Sequence, residues 1–289
     1  MDVKREDRVG IVVFLTPALV LFTLFFIFPI IYLIIISFMQ WTGFNTPVFV
    51  GWKNYLTIFN DKVFLRSIRN NLIWALCAGF IQVPLAVVAA LVLSYRPLGW
   101  KIFRTVYFFP KVISAIALAT LWAAVYNAQY GLLNGLLRVI GLGHLQTNWL
   151  GTLKTAFPSV IIYWLFYIGY YMIIVLADIQ GIPEEYYEAA EIDGAGRIRQ
   201  SLCITLPLAK TSIVTCILLA MIDGLRQFAE VYILTNGGPA NRTTVMVLYL
   251  YKAMQNYSYG TSSAAAMVLI AIGTVVILTI KNTLGRETF

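Results

Sequence analysis

The sequence predicts an all-α, polytopic membrane protein with six transmembrane helices, and three observations carry that prediction. Of its 289 residues, 60% are hydrophobic and only 12% are charged, about half the charge of a soluble domain. The mean hydropathy is +0.79. The apolar residues gather in blocks near the ~20 residues that cross a bilayer as a helix. A single transmembrane domain over residues 1–289 is expected, with no internal repeat and no hinge to mark a second one.

The first block covers residues 10–39 and exceeds bilayer length. Pro17 and Pro29 lie inside it, so a kink or an interfacial start is expected. The second covers 71–94. The third covers 105–126, with Pro110 and Lys111 near its start, and Lys111 reads as a snorkelling interfacial lysine rather than a ligand. The fourth covers 155–177, the fifth 210–231 and the sixth 260–280. Between them, 41–70 carries aromatics and alternating charges, and 127–154 carries Gly131, Gly135, Gly141 and Gly143. Short helices and turns on the outer surface are expected there. The charged start Met1–Arg8 leads into a block too long for a signal-peptide core, with no small-residue cleavage site, so it reads as a retained span.

Basic residues set the orientation. With the N-terminus inside, segments 1–10, 95–104, 178–210 and 281–289 hold 11 Lys/Arg in about 60 residues, against 8 in nearly 90 outside. The inner density is twofold higher, which places both termini in the cytoplasm.

The net charge of +8 does not point to nucleic acid, because no basic run is interleaved with exposed aromatics. Cys77, Cys203 and Cys216 show no paired spacing, and the single His144 lies in a loop. That removes a disulfide framework, a metal site and an intramembrane serine protease, which would need a base beside its nucleophile. No catalytic residue is assigned, and no phosphate-cradling GxxxxGK[ST] loop is present.

Residues 177–210 do not read as a linker. Five of the 13 acids lie between Glu184 and Asp193, against the basic trend of inner loops. Pro183 followed by Glu184 and Glu185 favours a helix start, continued through Glu188–Glu191, and Gly194 and Gly196 supply the stop. Arg197–Ile204 resumes as a helix, and Pro207 marks membrane re-entry. Physics alone leaves two readings open: an acidic helix that docks in a basic groove of a partner, or a solvated amphipathic loop.

Glu188-Ala189-Ala190, Gly194 and Ile204-Thr205-Leu206-Pro207 together resemble the EAA signature of ABC importer membrane subunits. Asn236-Gly237-Gly238-Pro239, Tyr130-Gly131-Leu132-Leu133-Asn134 and the six-span plan resemble the carbohydrate-uptake branch, which includes the larger maltose-transporter subunit. The extra N-terminal spans and large outer domain of that subunit have no counterpart in this sequence. The resemblance implies a pore-forming, non-enzymatic permease, with alternating access driven by ATP hydrolysis in partner subunits. It implies a second homologous permease subunit, two ATPase subunits and an external sugar-binding protein as partners, in a bacterial cytoplasmic membrane. ATP and Mg would be used by the ATPase, with no cofactor in this chain. The acidic helix would be the coupling helix, with Glu188, Ala189, Ala190, Asp193 and Gly194 meeting the ATPase.

In the fifth block Asp223, Arg226, Gln227 and Glu230 fall at i, i+3, i+4 and i+7, one face of an unbroken helix. From Lys210 the stripe climbs from roughly 20 Å to roughly 30 Å along the axis. In the fourth, Tyr163, Tyr167 and Tyr170 share a face. Aromatic rings stack on the CH face of a sugar, and polar groups bind its hydroxyls. By resemblance, Tyr163, Tyr167, Tyr170, Ala220, Gly224 and Gln227 fall where the maltose subunit meets its sugar, with most side chains different. Other readings stay open: Arg226 neutralises Asp223 or Glu230 or pairs with the partner subunit, and the tyrosines are packing or interfacial residues. The alternative function is a six-span secondary transporter or facilitator for a polar solute, which lacks an evident inverted repeat.

Overall fold

The computed structural model describes residues 5–284, with side chains from residue 10 onward. The cytoplasmic placement of the charged start and of the tail therefore falls largely outside the described residues. Two compact units emerge, Met1–Asp61 with Leu250–Val268, and Lys62–Tyr249 with Leu269–Phe289.

In the first unit, α1 (Arg5–Phe22) and α2 (Phe28–Ser37) form one apolar rod through a π-helical turn at Thr23–Ile27. Its large side chains are almost all exposed, as Phe14 at 85% illustrates. A two-residue antiparallel pair, β1 (Met39–Gln40) with β2 (Val48–Phe49), follows, then α3 (Lys53–Asn60). Asn54 Nδ2 donates to the carbonyls of Ser37 and Met39, both at 2.8 Å, and so caps the end of α2. The ring of Trp41 lies 5.2 Å from that of Tyr259 in the same unit.

The second unit begins with α4 (Lys62–Cys77), a π turn at Ala78–Gln82, and α5 (Val83–Ser94). This helical stretch starts nine residues before the expected 71–94. Then come α6 (Trp100–Val112) and α7 (Ala115–Val125), which meet at 104° rather than forming the straight span expected over 105–126. Ile113 and Ser114 between them are extended. Next comes α8 (Leu132–Val139), and α9 (Ala156–Leu165) and α10 (Gly169–Ile179) make the fourth span. The loop helix α11 (Glu185–Ile192) leads to α12 (Arg197–Gln200), a π turn at Ser201–Thr205 and α13 (Leu206–Leu208). After a 70° bend comes α14 (Lys210–Leu225), then α15 (Ala229–Leu234). The last helices, α16 (Met246–Gln255) and α17 (Tyr259–Thr283), each contribute to both units.

Among the described residues four helical stretches are long and apolar enough to span a membrane, and six if each bent pair counts as one. The three π turns share a cause. Each ends two residues before a proline (Pro29, Pro84, Pro207). Proline donates no N–H and its ring collides with the carbonyl four residues back, and one extra residue in the turn moves that carbonyl aside.

Lipid is as apolar as leucine, so helices in a bilayer associate by close packing and by polar clamps rather than by expulsion of water. Both devices occur here. Gly224 of α14 is buried against α4, where a Cβ would meet Ala75 Cα at 2.9 Å. Gly169 of α10 is tighter, with Tyr107 O of α6 at 2.0 Å from where a Cβ would stand. Asn71 on α4 donates to Leu225 O at 2.8 Å and accepts from Met246 N at 2.7 Å. It thus serves both the C-terminal end of α14 and the start of α16. Asn70 donates to Arg242 O and Thr244 O at 2.9 and 2.8 Å. These amides hold the irregular backbone that lipid could not satisfy.

Candidate functional site

The fourth span breaks at Phe166–Ile168, between α9 and α10. Tyr163 precedes the break, Tyr167 lies in it and Tyr170 follows it. All three line one cavity of about 290 Å³. Tyr163 is buried, its ring 5.6 Å from Tyr167 and 5.4 Å from Trp122 in tilted or edge-on contact. The Trp122 indole N–H donates to the Tyr167 hydroxyl. Such contacts fix the aromatic wall in place.

The opposite lining is polar. Asp223, on the last turn of α14, accepts a hydrogen bond from the Tyr171 hydroxyl at 3.0 Å, and Glu230 stands in the first turn of α15. Lys111 at the end of α6 also lines the cavity, its ammonium 4.7 Å from the centre of the Tyr170 ring, within cation–π range. The reading of Lys111 as an interfacial lysine did not anticipate this place in the cavity wall. The chain bends at Ile113 and Ser114, and that bend brings the end of α6 to the cavity.

The one-faced stripe is corrected. The helix ends at Leu225, and Phe228 has φ −145° and ψ −61°, so α15 starts a new axis. Asp223 and Glu230 reach the cavity, but the residues between them do not. Arg226 is exposed, and no ion pair joins it to either acid among the described residues. Gln227 is buried and its Nε2 donates to Asp223 O at 3.2 Å. Ala220 and Gly224 are buried in the α14 packing and do not line the cavity. Residue spacing did not single out Gln82, Trp164 or Tyr171, which do. A lone amide in an apolar span, followed two residues later by proline, was the available signal for Gln82.

Rings with fixed orientation, two carboxylates, an ammonium and an amide suit a solute that has apolar faces and hydroxyl edges.

The second feature is α11. Glu184, Glu185, Glu188, Glu191 and Asp193 are all exposed, as is Ala189, and Ala190 is half-buried. The helix ends in a Schellman motif. Gly194 N donates to Glu191 O at 2.9 Å and Ala195 N to Ala190 O at 2.8 Å. Gly194 has φ +75°, a left-handed conformation that glycine adopts without strain, and a Cβ there would meet nothing within 4 Å. Its role is conformational. Gln200 Nε2 donates to Ala195 O at 3.1 Å, and the Tyr187 and Thr205 hydroxyls pair at 3.0 Å. Tyr95 gives its hydrogen to Arg197 O at 2.9 Å, so the Ser201 hydroxyl donates to Tyr95 at 2.7 Å. The hook is held rigidly, with acids outward. Glu191 and Asp193 sit at the helix C-terminus, where the dipole disfavours negative charge.

Residues 82–285 match a family model described as "Binding-protein-dependent transport system inner membrane component". The probable ABC transporter permease YurN of Bacillus subtilis is 40% identical over 274 residues, covering 93% of each chain. The trehalose/maltose transport system permease MalF of Thermococcus litoralis is 33% identical and covers 95% of this chain and 94% of its own. A solved bacterial ABC transporter involved in alginate import superposes with a TM-score of 0.84 at 24% identity, covering 98% of both chains, a likeness of fold.

Proposed function

The chain belongs to the family of inner membrane components of binding-protein-dependent transport systems, and from that premise we propose that it forms half of the membrane pathway of an ATP-driven importer for a sugar or short oligosaccharide. The cavity between α6, α7, α9, α10, α14 and α15 carries this reading. Its rings would take the CH faces of a sugar, and Asp223, Glu230 and Lys111 its hydroxyls. The relative named for trehalose and maltose supports the substrate class.

In this reading a second permease subunit completes the pathway and an external binding protein delivers the sugar. Two ATPase subunits on the cytoplasmic side use ATP and Mg. They seat the acidic helix α11 in a basic cleft, with Glu188, Ala189, Ala190 and Asp193 at the contact and Gly194 setting the turn. Both termini face the cytoplasm. ATP-driven closure of the ATPases pushes on α11, and the rigid hydrogen bonds around it pass that displacement to the spans. Catalysis resides in the partners.

The test is reconstitution of the chain with its partner subunits in proteoliposomes, loaded with ATP and supplied with labelled trehalose or maltose and the binding protein. Uptake that requires hydrolysable ATP is expected. Uptake by this chain alone on an ion gradient, with no ATPase, would establish a secondary transporter instead.

A further inference from the structure

We propose that Gln82 is a specificity-determining residue of the cavity, its Oε1 the fixed acceptor for one hydroxyl of the transported sugar; this rests on the reading just given.

Gln82 closes the π turn ahead of Pro84, and the extra residue of that turn places it at the break of the fourth span. It is 1% exposed and lines the cavity. Its Nε2 donates to Trp164 O at 2.9 Å and to Tyr167 O at 3.4 Å. Those two bonds decide which way the amide faces, because a flipped amide would set its oxygen against two carbonyl oxygens. Oε1 therefore cannot exchange places with the nitrogen, and it has no hydrogen-bond partner.

A buried acceptor without a donor is a defect in a packed span, since lipid offers no replacement. Several other polar groups of the cavity are already engaged or charged, and the tyrosine hydroxyls can rotate and are not held to one direction. Asp223 accepts from Tyr171 and the Lys111 ammonium sits over a ring. The Oε1 lone pairs are thus a neutral, unfilled acceptor at the cavity wall, and one whose direction is fixed. A neutral acceptor held in one direction discriminates by position, because it gains only when a sugar hydroxyl stands at that point.

The experiment uses the assembled complex in proteoliposomes, with ATP-driven uptake of labelled trehalose or maltose in competition with each monodeoxy analogue of that sugar. In the parent, one deoxy position is expected to weaken competition by about threefold to tenfold, the worth of one neutral hydrogen bond. In Gln82→Met, which keeps the volume but has no acceptor, that one penalty falls to about onefold while penalties at other positions persist. In Gln82→Glu it is retained, because a neutral carboxyl can donate to one carbonyl and still offer its second oxygen.

A parent profile with no hydroxyl standing out refutes the role of Gln82 and leaves the importer assignment intact. So does a methionine variant that weakens every analogue by the same factor, which would make Gln82 a structural clamp only. If the parent takes up neither sugar with ATP, the sugar reading itself fails and the proposal falls with it.

Discussion

Replacing Gly169 with alanine tests how the cavity wall is held. A Cβ at this position would stand 2.0 Å from Tyr107 O, 2.4 Å from Tyr107 C and 2.7 Å from Phe108 N. All three are backbone atoms, so no side-chain rotation relieves the overlap. Moving Tyr107 O from 2.0 Å to an ordinary contact of 3.4 Å requires a shift of about 1.4 Å between α6 and α10. Overpacking of this kind costs about 3 kcal/mol. Gly135 in α8 is the control, because a Cβ there meets nothing within 4 Å and glycine to alanine inside a helix gains about 1 kcal/mol. Thermal unfolding of the purified complex in detergent, followed by tryptophan fluorescence, should show Gly169→Ala melting several degrees below the parent and Gly135→Ala at or above it. Because Pro110 and Lys111 of α6 line the cavity, sugar uptake by Gly169→Ala should also show a raised KM. If the two variants melt alike and both transport normally, the α6–α10 contact does not shape the site.

Three further outcomes are expected. Glu188→Lys should leave the chain in the membrane while lowering its co-purification with the ATPase subunits; undiminished co-purification removes Glu188 from the docking surface. Gly194→Leu forces a left-handed backbone at a cost of about 1–2 kcal/mol, so it should uncouple ATP hydrolysis from uptake. Gly194→Asn, which tolerates that conformation, should stay coupled, and equal coupling in both variants would refute the conformational role. Asp223→Asn should raise the KM for sugar uptake about tenfold, the scale of one charge-assisted hydrogen bond, and an unchanged KM would take Asp223 out of the pathway.

What could be read from the sequence differed by feature. The apolar blocks and the hook declared themselves because their signals are local. Pro183, the run of acids and Gly194 act within a turn of where they stand, and the Schellman bonds of Gly194 and Ala195 follow from them. The breaks at 113–114 and 226–228 did not, since helical spacing assumes that a helix continues. The second is sustained by Asn71, more than 150 residues distant, which holds Leu225 O. No periodicity within the fifth block carries that information. Tyr163, Tyr167 and Tyr170 were found by spacing and do reach one cavity, although the span that carries them is itself interrupted. Lys111 and Gln82 were passed over for opposite reasons. A lysine near a span end has an ordinary interfacial use, and a single amide barely alters hydropathy.

Where α6 meets α10 and where α14 meets α4, main chain lies against main chain, and there is no atom left to trim. The contacts that set this frame are thus made by residues other than those that line the cavity. The atoms that crowd Gly169 and Gly224 belong to Tyr107, Phe108, Trp74 and Ala75, not to Tyr163, Tyr167 or Tyr170. In the proposed reading, a lineage changes its solute by exchanging side chains of the cavity wall while the two seams stay as they are.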